Sequence, residues 1–148
     1  MKSKKDKLIL KNKKAYFNFE IIETELCGIV LLGSEVKSIK AGKVSFTDTY
    51  CLFIGGEMWV RNLHISEYES SLNIHDPKRD KKILMTKKQL SKFKKQLEIK
   101  GLTIVPLAIQ TNEKGFIKIN IGLAKGKREY DKRETIKQRD TERDLRNV

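Results

Sequence analysis

The chain has 148 residues, enough for one domain with tails and too few for two independent hydrophobic cores. Its 32 Lys and Arg against 19 Asp and Glu give a formal net charge of +13, which favours a polyanionic partner, either nucleic acid or an anionic membrane surface. Neither an apolar run of 18 residues nor the apolar stretch of a secretory signal is present, so we expect a soluble cytoplasmic protein without a membrane-spanning helix.

The first predicted unit is a basic flexible arm, residues 1–12, because lysine-rich runs are usually mobile and solvated. From Ala15, AYFNFEI alternates apolar and polar residues and predicts a strand, which continues into the apolar run CGIVLLG. The segment SEVKSIKAGK then predicts a short helix, capped by Ser34 and ended by Gly42.

The middle of the chain combines a hairpin with a basic loop. Gly55 and Gly56 separate VSFTDTYCLFI from EMWVRNLHI, and a Gly-Gly pair accepts the positive φ of a tight hairpin turn. In the loop that follows, PKRDKK places charge beside a rigid proline, a combination that can hold a bend of an RNA sugar-phosphate backbone. We therefore predict that His75 and Arg79 contact RNA.

A lysine-rich helix follows this loop. Thr86 and Gln89 form a capping box, and Gly101 supplies the end of the helix. If the apolar residues at helical spacing face the core, the outward face is basic, which suits either a phosphate backbone or simple solvation. The apolar residues are Leu90, Phe93 and Leu97, and the outward lysines are Lys87, Lys88, Lys92 and Lys95.

Two more strands, LTIVPLAIQ and FIKINIGLA, are joined by a turn containing Gly115. Six strands in three pairs, with two or three helices, predict a mainly β fold: a small closed antiparallel barrel, OB-like, over residues 13–124.

The C-terminal segment, residues 125–148, has too few apolar residues to offset the entropy of ordering it, so we expect it to be disordered alone. Pairs such as Glu129 with Arg133 and Glu134 with Gln138 support a helix that forms on a partner. A tail that only aids solubility is the alternative.

The sequence gives little support for a catalytic site or a metal site. Cys27 and Cys51 are solitary in apolar runs and predict buried thiols, and no metal-ligand spacing is present. Glu35, Asp48 and His64 are the only candidates for an RNA-processing enzyme, and they are scattered. We expect no enzyme activity, metal or cofactor.

Six ordered blocks between Asn12 and Arg143 carry a family resemblance: NKKAYFNFEI, GIVLLGSEVKSIKAGK, GEMWVRNLHISEYE, HDPKRDKKILM, KGLTIVPL and AKGKREYDKRETIKQRD. The chain closely resembles the bacterial SsrA-binding proteins, the small protein B family. The resemblance implies an OB-like barrel that binds the tRNA-like domain of transfer-messenger RNA (tmRNA) and delivers it to stalled ribosomes for trans-translation. It also implies a tail that becomes helical in the decoding centre and the empty mRNA channel.

The resemblance implies RNA-facing residues in the body and a ribosome-binding set in the tail. With the loop residues above, the predicted tmRNA contacts are Asn12, Lys13, Glu35, Lys37, His75, Arg79, Lys82, Leu84, Lys118 and Lys125. The predicted ribosome contacts are Gly126, Lys127, Arg128, Tyr130, Asp131, Lys132, Arg133, Lys137 and Arg139. One departure is Leu26, at a position commonly acidic in the family. We expect a monomer, with tmRNA and the ribosome as partners; a general OB-fold ribosomal or single-stranded-RNA-binding protein is the alternative.

Overall fold

The computed structural model describes residues 7–67, 76–99 and 101–127, and these form a mainly β, antiparallel fold with three helices. In chain order the elements are β1 (Lys7–Lys11), α1 (Lys13–Asn18), β2 (Phe19–Ile29), α2 (Gly33–Lys40), β3 (Val44–Ser45), β4 (Tyr50–Ile54), β5 (Glu57–Arg61), β6 (His64–Ile65), β7 (Lys81–Leu84), α3 (Lys87–Leu97), β8 (Leu102–Thr111) and β9 (Ile117–Gly126). None of the described helices is long and apolar enough to cross a membrane.

Seven strands form one sheet in the order β1-β8-β9-β2-β7-β5-β4, and β3 pairs with β6 in a separate two-stranded sheet. The terminal strands β1 and β4 do not pair with each other, so the predicted closed barrel is wrong: the sheet is open. Closure needs a strand tilt and a register stagger that bring the two edges into hydrogen-bonding distance. Alternation along single strands carries no information about that distance.

The segment predicted as a strand from Ala15 begins instead as helix α1. The Asn12 side chain caps this helix, because its Oδ1 accepts a hydrogen bond from the Ala15 amide (3.3 Å). Ala15 is buried against Val105, Leu107 and Ala124, which fixes the helix on the sheet. In a segment of six residues, the burial of one small side chain and one capping hydrogen bond can favour a helix although the apolar residues alternate as in a strand. Strand β2 starts only at Phe19.

Part of the predicted flexible arm is also ordered. Residues 7–11 form β1 and pair antiparallel with β8, from Lys7 opposite Thr111 to Lys11 opposite Ala108. The apolar centre of KLILK has strand character that the surrounding lysines obscure.

Other local predictions are confirmed. Gly55 and Gly56 both have positive φ in the β4–β5 turn, and Gly115 does in the β8–β9 turn. Helix α3 starts at the predicted capping box, with the Gln89 amide donating to Thr86 Oγ1 (3.1 Å). Helix α2 exists, but Leu32 rather than Ser34 is its N-cap residue, and the Ser34 side chain is buried.

The main core combines inward-facing residues of β2, β5, β7, β8 and β9 with Ile39 of α2 and Phe93 of α3. Cys27 belongs to this core and Cys51 packs against it. Burial raises the pKa of Cys27 to about 11, and it also raises the pKa of Cys51. The prediction that Cys27 acts as a small buried apolar residue is confirmed.

Candidate nucleic-acid interface

Strand register brings Lys118, Gly28 and Leu84 into one row across β9, β2 and β7, since Gly28 lies opposite both of the other two residues. Residues paired across antiparallel strands point to the same face of a sheet. We call this surface the sheet face: Leu26, Gly28, Val30, Leu84 and Lys118, with the cations that border them. Two separately predicted residues, Lys118 and Leu84, thereby flank Gly28 on one face of the sheet.

The sheet face exposes large apolar side chains. Leu26, Val30 and Leu84 are 48%, 44% and 51% exposed, and Gly28 separates them without a side chain of its own. A Cβ atom added to Gly28 would lie 3.2 Å from Leu84 Cδ1, so the glycine keeps the surface flat beside that leucine. Single exposed leucines are ordinary, but a grouped patch indicates a contact surface. Apolar side chains can make contacts with accessible base edges of a folded RNA.

Cations border the patch. Lys82 is two residues from Leu84 along β7, so it shares the face, and its Nζ lies 2.9 Å from Glu57 Oε1. Arg79 reaches the end of β2, where its Nη2 donates to the Val30 carbonyl (3.4 Å). Lys118 lies on the opposite side of Gly28. The patch therefore has positive groups on two sides, an arrangement that suits phosphates flanking bases.

Glu35, predicted to face RNA, is fully buried (0% exposed). Its Oε1 accepts hydrogen bonds from the Leu32 amide (2.7 Å) and from Arg79 Nη2 (2.6 Å). Its Oε2 lies 3.4 Å from Arg79 Nε and 3.8 Å from Lys81 Nζ. The sequence could not predict the burial of Glu35, because a glutamate in α2 looks the same in sequence whether it faces water or a buried cation. Glu35 instead holds Arg79 at the sheet face.

Helix α1 lies on the same face of the sheet, further along β9. Gly122 is four residues from Lys118 and so points to the same side, and a Cβ atom there would lie 2.7 Å from Leu107 Cδ1 under α1. Asn12 is used structurally, since its Nδ2 donates to the Pro106 carbonyl (2.8 Å) and its Oδ1 caps α1. The exposed Lys13 is thus placed at the α1 end of this face.

The remaining predicted positions are dispersed. Lys37 is exposed on α2, and Lys125 and Gly126 are exposed at the end of β9. The Lys127 amide donates to the Asn18 carbonyl (2.9 Å), which places the start of the tail beside α1. Predicted residues outside the described part of the chain are His75, Arg128, Tyr130, Asp131, Lys132, Arg133, Lys137 and Arg139.

Helix α3 presents the second basic surface. As predicted, Phe93 is buried and the outward lysines are exposed. Two acids of β2 hold the helix: Lys92 pairs with Glu23, and Gln89 Nε2 donates to Glu25 Oε1 (2.6 Å). Since Glu23 and Glu25 alternate with Leu26 and Gly28, α3 packs on the opposite face of β2 from the sheet face.

The candidate catalytic residues do not converge. Glu35 is buried with Arg79 and Lys81, whereas Asp48 and His64 line a separate cleft of about 320 Å³. In the part of the chain that the structure describes, no three His, Cys, Asp or Glu residues are grouped as a metal site.

Sequence reasoning missed Gly28 and Val30 at this surface and the buried Lys81 beneath it. Gly28 and Val30 belong to an apolar run that reads as fully buried, although β2 alternates exposed and less exposed residues up to Leu26. Lys81 sits in a basic run where nothing distinguishes a buried lysine from its exposed neighbours. Only pairing register and burial separate these residues from the rest.

Comparison with known proteins gives a consistent result. The model of the SmpB protein family matches residues 9–148. The SsrA-binding protein of Bacteroides thetaiotaomicron is 49% identical over 137 residues, which cover 92% of this chain and 91% of the relative. That of Gloeothece citriformis is 48% identical over 143 residues, covering 95% and 92%. A solved structure described as tmRNA-SmpB at the centre of the bacterial ribosome has a TM-score of 0.68 at 44% identity, covering 86% of this chain and 93% of that one.

Proposed function

The chain belongs to the SmpB family, and from this we propose that it binds tmRNA and acts with it on the ribosome in trans-translation. Its relatives are named SsrA-binding proteins, and the similar solved structure is one of tmRNA-SmpB in the bacterial ribosome. Both support tmRNA and the ribosome as partners. The role is that of an RNA-binding adaptor without catalytic activity, working in the cytoplasm where ribosomes are.

We further propose that the sheet face is the surface that binds the tRNA-like domain of tmRNA. The observation that carries this is the row Lys118, Gly28, Leu84, which joins a cation to exposed apolar surface on rigid strands. The cations take phosphates, and Leu26 and Leu84 contact unpaired bases. If about six phosphates are neutralised, the logarithm of affinity falls with log salt at a slope of roughly −4 to −5.

The decisive test compares Leu84→Asp with Ile99→Asp, since the two residues are equally exposed and Ile99 lies beyond α3, away from the sheet face. Fluorescence anisotropy with the labelled tRNA-like domain should show at least a tenfold loss of affinity for Leu84→Asp and less than a twofold loss for Ile99→Asp. Equal losses would show that the sheet face is not the interface.

A competition assay separates this function from the general RNA-binding alternative. Unstructured RNA of equal length should compete poorly with the tRNA-like domain. Equal competition would favour a general single-stranded-RNA-binding protein.

For the tail, we propose that the segment from Gly126 onward acts on the ribosome, in the decoding centre and the mRNA channel, and not in tmRNA binding. A chain ending at Lys127 keeps all described elements, because β9 ends at Gly126. It should bind the tRNA-like domain like the full chain and should lose peptide tagging on stalled ribosomes in a reconstituted translation assay. Loss of both activities would place the tail in the RNA interface.

A further inference from the structure

We propose that Lys81 is a positioning residue for RNA binding: it balances the charge of Glu35, so that the cluster of Glu35, Arg79 and Lys81 presents a net positive charge to an RNA phosphate through Arg79. This rests on the proposed binding of RNA at the sheet face. It assigns a function to a side chain that itself has no access to RNA, because Lys81 is fully buried.

The geometry is one carboxylate shared by two cations. Arg79 Nη2 and Lys81 Nζ lie 2.6 Å and 3.8 Å from the two oxygens of Glu35. Lys81 Nζ is held in place by the Leu63 carbonyl, to which it donates at 2.7 Å. These contacts join α2, the start of β6 and β7 beneath the end of β2.

These contacts orient Arg79 but do not use all of its hydrogen-bond donors. A guanidinium has five N–H donors. One from Nε and one from Nη2 go to Glu35, a second from Nη2 goes to the Val30 carbonyl, and one from Nη1 goes to the Asp80 carbonyl (3.2 Å). Among the described residues one Arg79 N–H has no partner, and the side chain is 33% exposed beside Val30 of the sheet face. This leaves a fixed donor for one phosphate oxygen.

The charge of the cluster decides how strongly that donor attracts a phosphate. Arg79 and Glu35 alone are a neutral pair, which a phosphate meets as a dipole. Lys81 adds one positive charge behind the carboxylate, in a poorly solvated region where screening is weak. Without this charge, Glu35 would offset most of the attraction of Arg79.

A buried lysine is costly, and that cost supports a functional reading. The pKa of Lys81 is lowered to about 8, chiefly by desolvation and also by the charge of Arg79, while Glu35, Asp76 and Asp80 oppose the shift. Asp80 is itself paired with Arg61 of β5 (3.1 Å). Lys81 therefore loses most of its charge between pH 7 and pH 9, a range in which RNA phosphates do not titrate.

The test measures affinity of the full chain for the tRNA-like domain at pH 7, 8 and 9, for the wild type, Lys81→Met and Lys81→Arg. We expect wild-type affinity to fall about fivefold from pH 7 to pH 9. Lys81→Met should bind about fivefold more weakly at pH 7 and show no such pH dependence. Lys81→Arg, which stays charged, should keep wild-type affinity throughout.

A third variant shows whether Lys81 acts through Arg79. In Arg79→Met the fall between pH 7 and pH 9 should disappear, because the group that transmits the charge is gone. Thermal unfolding of each variant checks folding; if Lys81→Arg does not fold, the wild-type and Lys81→Met profiles still decide.

Two results would overturn the proposal: a wild-type profile without pH dependence, or a folded Lys81→Met that binds like wild type at pH 7. The same pH series on a double-stranded RNA of equal length separates this proposal from the proposed function. If both RNAs bind equally and the pH dependence is still present, the proposed specificity for tmRNA is contradicted, whereas the proposed role of Lys81 is supported.

Discussion

The two basic surfaces of the molecule differ in how their charge is supported. Helix α3 carries more lysines, and these are exposed along one helix. The sheet face has fewer cations, and strands fix them around a patch containing Leu26, Val30 and Leu84. Charge density gives attraction to any polyanion, whereas recognition of a folded RNA needs cations at fixed separations beside a surface for bases. The comparison favours the sheet face as the specific site and α3 as a contributor to general attraction.

Charge reversal on each surface gives the largest expected difference. Lys118→Glu should weaken binding of the tRNA-like domain by about 30-fold, since it loses a phosphate contact and adds repulsion at a rigid position. The matched change Lys88→Glu on α3 should weaken it by about threefold. Anisotropy titrations at fixed salt measure both. Similar losses for the two variants would remove the distinction between the surfaces.

The α1 end of the sheet face is tested by Gly122→Ala. The added Cβ would approach Leu107 Cδ1 to 2.7 Å and Ile21 Cγ2 to 3.3 Å, and both atoms belong to or pack against a small buried cluster. Overpacking of this kind should lower the free energy of unfolding by about 2 kcal/mol. Urea denaturation measures it, with Gly126→Ala as control because a Cβ there meets nothing within 4 Å. An unchanged midpoint would show that Leu107 and Ile21 can shift enough to accommodate the added Cβ atom.

The pH dependence of stability tests the cluster behind the sheet face. The pKa of Lys81 is about 8 in the folded protein and about 10.5 when unfolded, so the unfolded state binds more protons between these values. The free energy of unfolding should therefore rise with pH, by about 1 kcal/mol between pH 7 and pH 9. The measurement is urea denaturation at both pH values, and the rise should be absent in Lys81→Met. If the free energy of unfolding still rises with pH in Lys81→Met, the rise comes from another titrating group.

Thr86→Ala has the smallest expected effect and addresses α3 alone. Removing the Oγ1 that accepts from the Gln89 amide should lower the free energy of unfolding by about 0.5–1 kcal/mol. Affinity for the tRNA-like domain should stay within twofold, because α3 packs on the other face of β2. Thr86→Ser keeps the cap and serves as the control. A large loss of affinity in Thr86→Ala, with Thr86→Ser normal, would move the specific site toward α3.

Local chemistry was predictable where it depends on a few adjacent residues. The capping box of α3 and the turn glycines Gly55, Gly56 and Gly115 were identified because each acts within four residues. Helix α1 was mistaken for a strand because the decisive contact, Ala15 against Val105 and Leu107, lies about ninety residues away in sequence. The open sheet was missed for the same reason, since edge closure depends on the whole register.

In the candidate site, too, single residues were predictable from the sequence, whereas their grouping and burial were not. Lys118, Lys82 and Leu84 were predicted individually from the resemblance, but their grouping around Gly28 follows only from strand pairing. Glu35 was placed correctly in α2, but its burial beside Arg79 and Lys81 was not predicted. A charge pattern shows that a residue is ionisable, and only the fold shows whether water and RNA can reach it.

The open sheet leaves two edges of unequal character. Strand β1 has Lys7 and Lys11 at its ends, and edge lysines oppose pairing with another chain. Strand β4, YCLFI, has no charged residue, and among the described strands only β5 pairs with it. Colloidal stability then depends on the overall charge of +13 keeping molecules apart. Concentrated salt removes that repulsion, so purified protein without RNA should self-associate first along β4.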